Sequence, residues 1–168
     1  MAPPASLAST FRRKALTFWQ QPLFTKLWFV PAWFLLGISK ALIFTFSFRR
    51  LAAHLGTWAG ATPWVPVLTP AQEDRAKLIG RTVKTIARYT PWNSNCFPQA
   101  ITARLLLGVY SIPYAIYFGL MRDATSPHMQ AHAWVASGRI RVTGGDGFEQ
   151  FTVVGCFSGP NTEKAETT

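Results

Sequence analysis

The sequence predicts an α+β fold in which amino-terminal helices lead into a cysteine-bearing helix packed on an antiparallel sheet. Three observations predict it. Up to Gly108 the apolar residues recur at helical spacing between capping and breaking residues. After Gly108 the chain changes to short segments rich in aromatic and β-branched residues, several of them alternating. Helices precede strands instead of alternating with them, which favours segregated layers over a parallel βαβ sheet. The 168 residues suit one domain with a helical extension, and the 49% apolar content excludes a disordered chain.

Residues 1–68 are expected to form an apolar, basic helical region of two or three helices. Within it Leu27 to Phe48 has Lys40 as its only charge and nearly the length of a membrane span. Pro31, Gly37, Ser39 and Lys40 weigh against a span, and positive pairs on both flanks give no preferred side. A buried or surface-associated helix is expected instead. The run from Thr57 to Pro66 carries Gly and Pro at spacings that break any period, and it marks the boundary. A helix follows, with Thr69 as N-cap, Pro70 at the first helical position and Gln72 completing a capping box. Ala76, Ile79, Val83, Ile86 and Ala87 form its apolar face. Arg75, Lys77, Arg81, Lys84 and Arg88 project mostly from the others, as a solvated basic face would, with a dedicated binding patch as the alternative. The next helix, capped by Ser94 or Asn95, begins with Cys96, Phe97 and Pro98 and is expected to stop at Gly108. Strands are predicted at Tyr114 to Met121, Ala131 to Ala136, Arg139 to Thr143 and Gln150 to Phe157, as a meander with a hairpin turn at Ser137 and Gly138. Residues 69–158 thus make the core, and 159–168 a polar tail.

Charge narrows the function classes. Charged residues are only 14% of the chain, the net charge is +10, and none of the seven acids lies in residues 1–72. That stretch holds seven Lys and Arg, five of the seven Trp and eight of the thirteen Phe. Anionic lipid, nucleic acid or an acidic protein would each reward such a block. Its cations come as isolated pairs, and its aromatics sit among aliphatics, so no nucleic-acid partner is expected. Two cysteines make no disulfide framework, and no cleaved signal peptide is recognised. A cytoplasmic location is expected, with contact at the inner membrane face open. Neither GxxxxGK[ST] nor GxGxxG occurs, so no nucleotide cofactor is expected.

Three residues are candidates for catalysis. Cys96, in the first turn of a helix, meets the positive end of the helix dipole and unpaired amide donors, both of which favour thiolate, although taken alone a free cysteine is more often an inert buried thiol. His132 shares one face of a predicted strand with Trp134, and a core histidine hydrogen-bonded to a backbone carbonyl is its structural alternative. A cysteine at a helix start and a histidine on a later strand is how papain-like folds bring base to thiol. A third group should orient the imidazole. Asp146, in the turn Gly144-Gly145-Asp146-Gly147, lies where it is expected, with Glu149 as the substitute and a purely structural turn as the alternative. His128 and His132 with Cys96 and Cys156 could be imagined around zinc. No CxxC or HExxH is present, however, and no metal is expected.

These residues carry a resemblance. Pro91-Trp92-Asn93-Ser94-Asn95-Cys96, Arg104-Leu105-Leu106-Leu107-Gly108, Tyr117-Phe118-Gly119-Leu120, Ala131-His132-Ala133-Trp134, Val142 to Gly147 and Phe151-Thr152-Val153-Val154 follow one another as in the leader peptidases of lasso-peptide biosynthesis, which are transglutaminase-like in fold. The similarity runs from about residue 70 to 158, and more weakly into Phe48-Arg49-Arg50-Leu51-Ala52. It implies that Cys96 is the nucleophile, His132 the general base and then acid, and Asp146 the orienting carboxylate, although relatives often carry Glu in that turn. The implied reaction cuts one peptide bond of a ribosomally made precursor, freeing a core that a partner cyclase closes into a macrolactam. The implied partners are the precursor's leader segment, a separate leader-recognition protein and the lasso cyclase. A transglutaminase-like acyltransferase on the same fold and a non-enzymatic membrane-associated helper are the alternatives.

Overall fold

The computed structural model describes residues 20–61, 65–122, 129–145 and 147–160. Among these described residues four helices and five strands follow in the order α1 (Leu23–Thr45), α2 (Phe48–Ala52), β1 (Thr57–Gly60), α3 (Pro70–Ala87), α4 (Cys96–Val109), β2 (Tyr114–Arg122), β3 (Met129–Ser137), β4 (Ile140–Thr143) and β5 (Thr152–Gly159), with a 3-10 turn at Phe148–Gln150 before β5. The helices-then-sheet architecture is the one expected from the sequence.

Local chemistry explains the helix ends. The Thr69 hydroxyl accepts from the Gln72 amide while Gln72 Oε1 accepts from the Thr69 N–H, so the expected capping box forms. Ala76, Ile79, Val83 and Ile86 are fully buried along α3. Helix α4 begins at Cys96, as expected, but runs through Gly108 to Val109. The positive φ that ends it falls on Ser111, at 51°, instead of on the glycine. Its buried face is Pro98, Ala100, Ile101, Ala103, Leu106 and Leu107, while Phe97 and Leu105 pack at the margin.

The sheet is antiparallel, in the order β1-β5-β2-β3-β4. Strands β2, β3 and β4 form the expected meander, with the turn at Gly138 and Arg139 between the last two. Strand β5 departs from it. It returns to the far side of β2, and β1, from the run expected to be only a boundary, pairs with β5 as the edge strand. One face of the sheet carries Tyr114, Ile116, Ala133, Val135 and Val142 against the helices, and the other carries Tyr117, Trp134 and Cys156 in a smaller cluster.

Helix α1 lies across α3 and α4. Thr25, Ala32, Leu36 and Ser39 form its buried side, where Thr25 Oγ1 meets Thr82 Oγ1 at 2.8 Å. Its outward side is Leu23, Leu27, Val30, Phe34, Ile38 and Phe44, all exposed. By length and composition α1 could cross a membrane, and only 17% of its most apolar stretch is buried.

Candidate active site

Cys96 stands at the first position of α4, partly exposed, after the N-cap Asn95, whose side chain makes no capping bond. Amides at a helix start have no intrahelical partner, so this end offers donors and a positive dipole beside the thiol. The loop leading into it is held by its own side chains. Thr90 Oγ1 is within hydrogen-bond distance of the Ala87 and Trp92 carbonyls at 2.8 and 3.0 Å and of Ser94 Oγ at 2.9 Å. Gln99 Nε2 donates back from the helix to the Ser94 carbonyl at 2.7 Å.

Helix α1 holds the same loop from outside. Lys40 Nζ donates to the Asn93 carbonyl at 3.0 Å. Trp33 packs on Trp92 with ring centroids 4.7 Å apart, and Gly37 lets the Trp92 ring approach so closely that a Cβ there would lie 2.9 Å from Cζ2. Trp92 Nε1 is buried with no hydrogen-bond partner among the described residues.

His132 is half-buried on β3, opposite Gly119 of β2, with its ring against Trp134 and Phe151 at centroid distances of 5.7 and 5.0 Å. Its Nε2 lies 2.8 Å from the Gly144 carbonyl oxygen. A carbonyl only accepts, so Nε2 carries the proton, and the neutral ring keeps its lone pair on Nδ1. Gly144 is required for this contact. Its φ is +98°, and a Cβ on it would run into the Trp134 side chain.

A cavity of about 710 Å³ connects these groups. Its walls include Cys96, His132, Trp92, Gln99 and the Thr143-Gly144-Gly145 strand end. Two of the three residues expected to act together, Cys96 and His132, therefore line one space. Asp146 lies outside the described residues, as does His128. Glu149 is exposed, 3.3 Å from Arg141 Nη2, and is absent from the cavity wall. Cys156 is fully buried in the cluster on the other face of the sheet. Among the described residues no three His, Cys, Asp or Glu side chains gather to hold a metal.

Two features lay beyond sequence reasoning. A backbone carbonyl on His132 is the structural alternative expected there, but that it is the Gly144 oxygen has no residue signature beyond the paired glycines that permit its geometry. The bracing of the 90–95 loop by α1 is a long-range contact that no local pattern encodes. The face of α3 read as solvated is indeed exposed at Arg81, Lys84 and Arg88, and it also carries them with Lys77 onto the cavity wall. Chemically, a thiol at a helix amino terminus and an oriented imidazole can form and resolve a thioester.

A family model described as the transglutaminase-like superfamily matches residues 42–156, from within α1 into β5. No curated protein and no solved structure matches the chain.

Proposed function

Because the chain belongs to the transglutaminase-like superfamily, whose members are in general cysteine-peptidase-like enzymes, we propose that it is a thiol peptidase that removes the leader from a ribosomally made lasso-peptide precursor. The observation that carries the peptidase reading is the cavity shared by Cys96 and His132, with the imidazole oriented through Nε2. The ordered blocks around these residues, which resemble lasso leader peptidases, support the substrate. In this reading a separate small recognition protein brings the leader, and a cyclase closes the released core.

The steps follow from the groups present. His132 Nδ1 takes the Cys96 Sγ proton, and the sulfur attacks the scissile carbonyl. The developing oxyanion is met by amides at the start of α4, the Cys96 N–H first among them. The imidazolium gives its proton to the leaving amine, which departs as the amino terminus of the core. A water deprotonated by His132 then cleaves the thioester, leaving the leader with a free carboxylate. In this reading the Asp146 carboxylate, two residues beyond the Gly144 carbonyl in sequence, would stabilise the imidazolium by its charge, while the carbonyl keeps its bond with Nε2.

The reading also takes α1 to rest on an anionic membrane surface. Its exposed large apolar residues and the nearby Lys26, Arg49 and Arg50 support that contact. The enzymatic claim is tested by incubating the full chain with a lasso precursor and its recognition protein in water enriched in oxygen-18, followed by mass spectrometry. One labelled oxygen in the released leader's carboxyl is expected, with no cleavage by Cys96→Ala. Transfer of the leader to an added amine would indicate an acyltransferase instead. Undiminished maturation with Cys96→Ala would indicate a non-enzymatic helper.

A further inference from the structure

We propose that the cationic stripe of α3 is a substrate-binding subsite, which selects an extended peptide segment carrying acidic side chains beside the scissile bond. The proposal rests on the thiol-peptidase reading for its location and on the charge arrangement for its specificity. Lys77, Arg81, Lys84 and Arg88 fall four, three and four residues apart, so they share one side of the helix. All four line the cavity that holds Cys96 and His132. Arg141 of β4 adds a fifth cation, and no carboxylate from the described residues joins the lining.

The stripe is fixed by packing on its opposite side. Ile79, Val83 and Ile86 are fully buried, and Gly80 allows α3 to approach β4 so closely that a Cβ there would lie 2.5 Å from the Val142 carbonyl oxygen. Lys77 is already paired with Asp74 at 2.9 Å, and Arg141 with Glu149 at 3.3 Å. Arg81, Lys84 and Arg88 are exposed and have no carboxylate partner among the described residues. Those three are the working charges.

Length fits a peptide. The eleven-residue separation of Lys77 and Arg88 spans about 16 Å of helix, enough to flank about five residues of extended chain at ~3.3 Å each. A cleft walled by one sign of charge concentrates oppositely charged substrate and raises its association rate in a salt-dependent way. Single-stranded nucleic acid would also meet the charges, but it needs aromatic platforms for its bases. Among the described residues Trp92 is the one Trp, Tyr or Phe on the wall, and its ring is packed against Trp33.

The test measures binding apart from turnover. Full-length protein with Cys96→Ala is titrated with a fluorescent Glu-containing peptide, with the same peptide carrying Gln at each Glu, and with an oligonucleotide of equal charge. At about 0.05 M salt the acidic peptide should bind roughly tenfold more tightly than its Gln counterpart, the sum of several exposed charge contacts. At about 0.5 M salt the difference should vanish. Combined Arg81→Gln, Lys84→Gln and Arg88→Gln, all at exposed positions, should remove it at low salt while the melting temperature holds. Equal binding of the two peptides, no binding of either, a preference that survives the triple substitution, or tighter binding of the oligonucleotide would each overturn the proposal. A preserved acidic preference in a protein whose Cys96 proves dispensable for cleavage would leave the subsite standing and refute the peptidase reading.

Discussion

His132 holds Nε2 against the Gly144 carbonyl at 2.8 Å, so the proton it exchanges with the substrate must travel through Nδ1. His132→Ala should therefore abolish cleavage, whereas His128→Ala should leave most of it, as single-turnover rates on matched preparations would show. Asp146 sits two residues beyond that carbonyl. If it supports the imidazolium, Asp146→Ala should lower kcat by about two orders of magnitude or more, with leader affinity and melting temperature nearly unchanged. Near-normal kcat from stable protein would leave the Gly144 carbonyl as the orienting group of a Cys96–His132 dyad. Cys96 and His132 were legible as candidates because thiol and imidazole chemistry leaves a residue signature at a helix start and on a strand. The Gly144 oxygen was not, since every residue has a carbonyl and only folding decides where it points.

Helix α1 acts on the site through its inner face. Gly37 and Trp33 clasp Trp92, and Lys40 holds the Asn93 carbonyl, three residues before the thiol. Gly37→Leu should push the Trp92 ring away and disturb the 90–95 loop, costing about 1–3 kcal/mol of stability, as overpacking does. Cleavage by the protein that remains folded should fall about tenfold or more, because small displacements of a positioned nucleophile are expensive. Thermal melts with cleavage assays on the same variant would check both. The capped helices were readable because a box such as Thr69 with Gln72 is local. The pairing of β5 with β2 and the recruitment of β1 were not. Both join residues far apart in sequence, and a strand as short as Thr57–Gly60 has no period to recognise.

Across the whole molecule, charge and apolar surface are unevenly distributed. The acids are absent from residues 1–72, and the exposed side of α1 presents Leu27, Val30, Phe34 and Ile38 to solvent. The chain should consequently sediment with vesicles containing anionic lipid and less with neutral ones, and Phe34→Asp with Ile38→Asp should release it without loss of fold. Equal recovery with both vesicle types would refute an electrostatic contribution. The composition made a basic, apolar front legible, but whether it faced the core or solvent depended on how α1 packed. The central claim, that Cys96 carries the substrate's acyl group, is tested most directly by acid-quenching the full chain during its first turnover of precursor and mapping the protein by mass spectrometry. A thioester-linked leader fragment is expected on Cys96, absent from Cys96→Ala and never on Cys156. An adduct on any other residue, or cleavage in the first turnover without a covalent species on Cys96, would contradict it.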